Sequence, residues 1–260
     1  MPQVVQTPVL KRIKGKSAAA FRFPNRYGET RYIFSYQIPS DSDIFWDNHD
    51  GIYLIEIPKT ASHSIHQYFD PKYSFGHIYG LDYPTRIRSK LRTIVRNPYD
   101  RLVSAYYFMI RGGFNNNPEY LQIRNDYKNF QDWVSRGLSR TILQVGQVTV
   151  DTIKADQKLD ENGMGHLITY NGWREAFLPQ TYWLLDEHGC LLIDKANIGK
   201  FENIKEDAKN LLGINLELHL NKSDDKDLDW RSYYTNSKVR DKVYSLYKKD
   251  FELLGYDKDI

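Results

Sequence analysis

The two segments that most constrain the fold each run from an apolar stretch through a polar turn into a helical pattern. The first covers residues 51–65 and carries Lys59 at its turn. The second covers residues 91–107 and carries Arg96 at the corresponding place. A strand that leads into a helix beside a basic side chain is a common phosphate-binding arrangement of α/β folds. Two such units in one sheet indicate a ligand with phosphate groups at two places.

The first segment combines an expected inner strand with a small, polar, positively charged turn. Residues 51–57 are apolar and β-prone, and Pro58 ends the strand because it cannot donate a ladder hydrogen bond. Lys59 supplies a charge, and hydroxyl groups follow at Thr60, Ser62 and Ser64. The glycines of a Walker A loop are missing from this segment. An ordinary strand–helix turn explains the local pattern equally well.

The second segment predicts a strand over residues 91–95 with Arg96 at its C-terminal end. A capping residue and a proline suited to the first helical position follow, Asn97 and Pro98. Arg101 and Ser104 then share a helical face with the cap. The guanidinium of Arg96 suits bidentate phosphate contact. The residues alone leave open that both arginines instead pair with carboxylates such as Asp100.

Together the two segments resemble those of sulfotransferases, most closely the Golgi-type heparan sulfate and uronyl 2-O-sulfotransferases and their bacterial relatives. Residues 58–64 look like the loop that binds the 5′-phosphosulfate of 3′-phosphoadenosine 5′-phosphosulfate (PAPS). Residues 96–106 look like the 3′-phosphate motif. Further similar segments follow in order, at residues 177–180, 199–204, 220–223, 233–234 and 247–256. The resemblance covers roughly residues 51–256 and is weakest between residues 112 and 175.

The resemblance implies a role for each residue that matches a family motif. Lys59 would bind the 5′-phosphosulfate and stabilise the leaving oxygen. Backbone N–H groups of the loop would cradle the same group, at Thr60, Ala61, Ser62, His63 and Ser64. Arg96 and Ser104 would hold the 3′-phosphate. Lys222 and Ser223 belong to a loop that would close over the nucleotide, although Lys222 is equally well explained as a solvated surface lysine.

Sulfuryl transfer to a hydroxyl needs a base that takes the hydroxyl proton, and a histidine suits this near neutral pH. Of the seven histidines, His77 is the leading candidate because it lies between the two motifs. The resemblance supports it, since the 2-O-sulfotransferases carry their base in a Gly-His pair at about this place. His166 is a second candidate, and His66 is a third whose facing is uncertain. A single histidine is more often structural, and that alternative stays open.

The expected fold class is α/β, a P-loop-like three-layer sandwich with a mostly parallel central sheet flanked by helices. We expect a single domain over residues 1–260, in which residues 1–50 match nothing recognisable and residues 112–175 form a variable acceptor region. Strands are expected at residues 31–36, 51–57, 91–95, 190–193 and 198–201. A capping box is expected at Asn203 and Glu206, with the helix behind it ending near Gly213.

Composition excludes several classes of partner and site. The net charge of +3 does not provide the basic field that nucleic-acid binding needs. The only cysteine, Cys190, excludes an intrachain disulfide and a cysteine zinc cluster, and we expect it in a strand. No metal is expected, because the reaction requires none in principle. The sequence has no apolar run near the ~18 residues of a membrane span and no apolar leader, so a cytoplasmic location is expected.

The acceptor is the least defined part of the prediction. The 37 aromatic residues favour a carbohydrate, because exposed aromatic rings can stack on sugars, although tyrosines also pack in cores and interfaces. A lipid, a small molecule or a peptide tyrosine stays open as the acceptor. The alternatives to a sulfotransferase are a kinase-like phosphotransferase and a nucleotide-binding scaffold without turnover. Two observations argue against a kinase. The sequence lacks the Walker A glycines, and ATP has no 3′-phosphate for the second motif to bind.

Overall fold

The computed structural model describes backbone and side chains over most of the C-terminal four fifths of the chain. The described ranges are residues 51–66, 68, 85–113, 123–139, 174–186, 188–216 and 229–260. Within them, only the backbone is described at residues 63, 66, 85–87, 174 and 175. The backbone alone is also described for residues 9–13, 16–24 and 30–35.

The described part of the N-terminal region forms a three-stranded antiparallel sheet. Its strands are β1 (Val9–Ile13), β2 (Lys16–Pro24) and β3 (Thr30–Ser35), in that order across the sheet. Val9 lies opposite Ala20, and Ala19 lies opposite Ser35. The strand expected at residues 31–36 is therefore present, and it belongs to this sheet.

A second, parallel sheet positions the two motifs. Its strands are β4 (Tyr53–Ile55), β5 (Leu91–Val95) and β6 (Ile198–Lys200), with β5 in the centre. Tyr53 lies opposite Leu91, and Thr93 lies opposite Ile198. Parallel strands end at the same edge of a sheet, so the segments that follow β4, β5 and β6 lie side by side. The parallel sheet with surrounding helices confirms the α/β fold class.

Helices follow or precede each strand of the parallel sheet. They are α1 (Ser62–His66), α2 (Pro98–Ile110), α3 (Phe130–Arg136), α4 (Thr181–Leu184), α5 (Ile204–Leu212) and α6 (Ser237–Leu254). Short 3₁₀ helices cover Thr85–Lys90, Arg174–Phe177, Lys195–Asn197, Phe201–Asn203 and Trp230–Tyr234. Among the described helices, none has the length and apolar character that crossing a bilayer requires.

Two apolar clusters hold these elements together. The smaller cluster joins β4 and β5 to α1 and α5 through residues such as Leu54, Ile94 and Ala208. The larger cluster joins α2, α3 and α6 and is rich in aromatic rings. Its buried rings include Tyr99, Tyr106, Trp133, Phe177, Tyr234, Tyr247 and Phe251. The buried tyrosines of this cluster are therefore core residues that cannot contact an acceptor.

The prediction of a strand at residues 190–193 is wrong, and so is the placement of Cys190 within a strand. Cys190 is exposed, and the strand pairing near it is limited to an isolated bridge between Leu185 and Leu191. The Asp186 carboxylate accepts hydrogen bonds from the backbone N–H groups of His188 and Cys190, at 2.9 and 2.8 Å. This side chain closes a tight turn that takes the place of a ladder.

The helix termini after β6 match the prediction only at the C-terminal end. Asn203 precedes α5 but its side chain makes no capping hydrogen bond, so the predicted capping box is wrong. A 3₁₀ turn over Phe201–Asn203 leads directly into the helix, and Asn203 lacks the extended backbone of a capping residue. Gly213 ends the helix with φ of 69°, the left-handed conformation that suits glycine.

Candidate functional site

The loop between β4 and α1 is a tight turn with a strained backbone. Lys59 and Ala61 adopt positive φ angles of 72° and 71°, which are unusual for residues other than glycine. The Thr60 hydroxyl donates to the Ile57 carbonyl at 2.8 Å and so closes the turn from inside. Left-handed residues at alternate positions are typical of backbone turns whose N–H groups face one concave side. The loop has the backbone pattern of an anion cradle.

The surroundings of Lys59 disfavour its charged form. Its ammonium Nζ is 4.2 Å from the centre of the Phe108 ring, on the helix that follows the second motif. Burial, together with the nearby charges of Arg96 and Arg101, lowers the pKa of Lys59 to about 7. An anion placed beside the ammonium would favour the charged form. The described charges around the ammonium therefore favour an anion beside it.

Arg96, at the end of β5, contacts both motifs at once. Its Nε and Nη2 donate to the two oxygens of the Asp100 carboxylate at 2.7 and 2.8 Å. Its Nη1 donates to the Lys59 carbonyl at 3.2 Å. The guanidinium also lies 4.0 Å from the centre of the Phe201 ring. Arg96 therefore does pair with Asp100, the alternative left open above, and the pairing uses the edge of the guanidinium formed by Nε and Nη2.

Arg101, at the start of α2, is buried beneath the loop. Its Nε donates to the Pro58 carbonyl and its Nη1 to the Leu178 carbonyl, both at 2.8 Å. Burial lowers the pKa of Arg101 to about 10, with the Asp250 carboxylate opposing the shift. The side chain stays charged at neutral pH. Arg101 ties the start of the loop to a distant segment of chain.

Two residues that the sequence reasoning did not assign to the site connect to Arg96 through its backbone. The Gln180 carboxamide accepts from the Arg96 N–H at 2.9 Å and donates to the Arg96 carbonyl at 2.8 Å. The Asp250 carboxylate accepts from the backbone N–H groups of Gln180 and Thr181. Burial raises the pKa of Asp250, and these N–H donors oppose the shift. Their place in the similar segments 177–180 and 247–256 was the available signal.

The start of α2 is fixed by a cap and by a carboxylate from the neighbouring strand end. The Asn97 side chain accepts from the Tyr99 N–H at 2.9 Å, which confirms the predicted cap. The Asn97 N–H donates to Glu202 at 2.7 Å, and the Tyr256 hydroxyl donates to the other Glu202 oxygen at 2.9 Å. Glu202 follows β6, so all three strand ends contribute to one edge.

The structure brings together one part of the predicted site and leaves another part outside its described residues. The predicted residues that meet at the sheet edge are those of the loop and the arginine after β5, namely Lys59, Thr60, Ala61, Ser62, Ser64 and Arg96. Ser104 is partly buried within α2. Of His63 and His66 only the backbone is described, in α1. The remaining predicted residues lie outside the described ranges, and they are His77, His166, Lys222 and Ser223.

The described residues include no group of three or more His, Cys, Asp or Glu side chains that could hold a metal ion. A comparison with family models matches residues 42–257 to the model described as Sulfotransferase family. The match covers most of the chain and includes both motifs and the whole parallel sheet. Neither the curated proteins nor the solved structures contain a significant match.

Proposed function

The chain belongs to the sulfotransferase family, whose reaction is sulfuryl transfer, and we propose that its donor is PAPS and its acceptor a carbohydrate hydroxyl. Such a donor carries a 3′-phosphate and a 5′-phosphosulfate, and two cationic subsites at one edge of a sheet can bind these two anionic groups. The motifs resemble those of carbohydrate sulfotransferases more closely than those of other relatives, which supports the choice of acceptor class.

The observation that carries the proposal is the contact between the two motifs across β4 and β5. Arg96 donates to the backbone carbonyl of Lys59 at 3.2 Å. Its charge also lies near enough to the Lys59 ammonium to lower the pKa of that group, which supports one site for the two cationic groups. A ligand with a single phosphate would need only one of them. A nucleotide with phosphates at both its 3′ and 5′ positions would use both.

In the proposed reaction the acceptor hydroxyl oxygen attacks the sulfur of the donor. The bond from sulfur to the bridging phosphate oxygen breaks, and the bisphosphate leaves with that electron pair. Lys59 stabilises the charge that develops on the bridging oxygen, since a fixed cation acts most strongly where charge appears. His77 takes the hydroxyl proton, with His166 and His66 as the other candidates for this role.

Arg96 is suited to the 3′-phosphate because, among the described residues, its bonds to Asp100 and Lys59 leave part of the guanidinium available. A guanidinium has five N–H donors, and the three bonds to Asp100 and Lys59 use three of them. The other two N–H groups can donate to phosphate oxygens while Asp100 holds the side edge. Ser104 follows on α2 and adds a hydroxyl donor in the proposed arrangement.

The test of the proposal is turnover with the predicted donor. The protein would be incubated with PAPS and a panel of saccharide, lipid, phenol and peptide acceptors, and release of adenosine 3′,5′-bisphosphate would be measured. Acceptor-dependent release supports the sulfotransferase, and the panel identifies the acceptor class. Phosphate transfer from ATP would instead indicate a kinase-like enzyme. Tight bisphosphate binding without turnover on any acceptor would indicate a scaffold.

Replacing Arg96 with alanine is expected to weaken bisphosphate binding by about 1.5–3 kcal/mol, the range for hydrogen bonds to charged groups. Binding of adenosine 5′-phosphosulfate, which has no 3′-phosphate, should weaken much less. Calorimetric titration of both ligands measures the difference. Arg136→Ala is the control, because Arg136 also pairs with a carboxylate four residues away, Asp132, but lies exposed on α3. Equal losses for the two ligands in Arg96→Ala would show a purely structural arginine.

Bisphosphate affinity is expected to fall as pH rises above the lowered pKa of Lys59, about 7. The sign follows because the bound anion stabilises the charged ammonium, so its pKa rises in the complex and binding takes up a proton. Between about pH 7.5 and 9 the phosphates are already ionised, since their second pKa is about 6. Titrations over this range in buffers of different ionisation enthalpy measure the proton uptake.

Lys59→Arg is the control for this pH dependence. A guanidinium stays charged throughout the range, so its affinity should be nearly independent of pH. The same slope in Lys59→Arg as in the wild type would assign the titration to another group.

A further inference from the structure

A side chain makes the two hydrogen bonds to the Arg96 backbone that a neighbouring strand would otherwise make. The Gln180 carboxamide accepts from the Arg96 N–H at 2.9 Å and donates to the Arg96 carbonyl at 2.8 Å. Gln180 has no exposed surface. Both polar groups of the Arg96 backbone are therefore satisfied just beyond the last residue of β5, and the direction in which its side chain leaves the backbone is fixed.

The backbone of Gln180 is in turn hydrogen-bonded to a side chain of α6. The Asp250 carboxylate accepts from the Gln180 N–H at 2.7 Å and from the Thr181 N–H at 2.9 Å. Asp250 is also fully buried. One turn earlier on α6, the Tyr247 hydroxyl donates to the Phe177 carbonyl at 2.6 Å. The segment that carries Gln180 is thus anchored to α6 at both of its ends.

The bonds of Gln180 act on Arg96 more directly than on the sheet. The ladder of β5 ends at Val95, and Gln180 contacts the next residue, whose guanidinium reaches Asp100 and the Lys59 carbonyl. A freed Arg96 backbone could rotate and take the guanidinium with it. Loss of the carboxamide should therefore weaken ligand binding at the subsite of Arg96 more than at the loop of Lys59.

We propose that Gln180, backed by Asp250, is a positioning residue that fixes Arg96 and thereby sets the preference for a nucleotide that carries a 3′-phosphate. This inference rests on the proposed function, because it takes Arg96 as the 3′-phosphate subsite. The side chain of Gln180 acts through Arg96 and does not itself touch the nucleotide.

The test compares two nucleotides in calorimetric titrations, adenosine 3′,5′-bisphosphate and adenosine 5′-monophosphate. Gln180→Met removes both hydrogen bonds at similar side-chain volume. The ratio of the two affinities should fall by about tenfold or more, because a displaced guanidinium would lose at least one charge-assisted hydrogen bond to the 3′-phosphate. Affinity for the monophosphate should change by no more than about twofold in the same variant.

Tyr247→Phe is the matched control for stability. It removes one buried hydrogen bond to the same segment without touching Gln180 or Arg96. The melting temperature should fall in this variant while the affinity ratio stays at its wild-type value. A merely structural Gln180 would behave like Tyr247, so an unchanged ratio in folded Gln180→Met would overturn the inference.

Gln180→Glu gives a second, reversible test that also serves if Gln180→Met does not fold. An ionised glutamate can accept from the Arg96 N–H but repels its carbonyl, whereas a protonated one can donate as the carboxamide does. The affinity ratio, relative to wild type at each pH, should be low at alkaline pH and recover as pH falls. A ratio that does not respond to pH in this variant would contradict the inference. A wild-type protein without preference for the bisphosphate would instead overturn the proposed function.

Discussion

Replacing Lys59 with alanine is expected to lower turnover by at least ~100-fold, since loss of one preorganised transition-state donor typically costs this much. The reason is its place in the loop after β4, which would cradle the 5′-phosphosulfate in the proposed arrangement. The measurement is the rate of bisphosphate release at saturating donor and acceptor. Binding of the bisphosphate, measured in parallel, reports whether the site is still formed.

The strained backbone at Lys59 provides a control for its charge. Glycine adopts the positive φ found there without strain, so Lys59→Gly removes the charge and relieves the backbone, whereas Lys59→Ala removes the charge alone. Both variants should lose turnover to a similar degree. Lys195→Ala, at an exposed lysine before β6, should leave turnover unchanged. Near-wild-type turnover in Lys59→Gly would rule out the assigned role of the ammonium.

The elements that sequence reasoning predicted correctly are those with local signals. The bounds of β5 agree with the prediction because a short apolar run ends at a residue followed by a cap and a proline. The meeting of Lys59 and Arg96 was predictable from topology, since parallel strands bring their C-terminal ends to one edge. Gly213 was recognisable as a helix end for a local reason too, the need for a left-handed residue.

The parts that sequence reasoning missed depend on contacts between distant residues. Helical spacing put Arg101 on one face with Asn97 and Ser104 but did not predict that its guanidinium is buried, with the carbonyls of Pro58 and Leu178 as acceptors. Neither partner is close in sequence. The bonds of Gln180 to Arg96 span 84 residues, and that of Asp250 to Gln180 spans 70. Propensity and periodicity contain no information about such pairs.

The aromatic content illustrates how composition misleads about function. The high aromatic content favoured a sugar-binding surface, but Tyr99, Tyr234 and Tyr247 are buried and donate their hydroxyls to backbone carbonyls. Buried tyrosines satisfied in this way stabilise a core as phenylalanines would, and they add specific ties between helices. The proposal of a carbohydrate acceptor therefore rests on the motifs and not on the aromatic count.

Replacing His77 with alanine is expected to lower turnover by ~10²–10⁴-fold, the usual contribution of a general base. His77 lies outside the described residues, so its role rests on its position between the two motifs and on the resemblance. Bisphosphate affinity should hardly change, because the base faces the acceptor. The wild-type rate should rise with pH through an ionisation near the reference pKa of histidine, about 6.5.

The pH profile distinguishes a base from a structural histidine. A base is active only when neutral, so the rising limb of the wild-type profile should be absent from His77→Ala, whose residual rate should be low throughout. A structural histidine would instead give a less stable variant in which ligand binding and turnover fall together. If His77→Ala keeps both its rate and the limb, the base is another group, and the same profiles of His166→Ala and His66→Ala would identify it. Because none of these histidines contributes to the proposed nucleotide subsites, that result would leave the roles of Lys59 and Arg96 intact.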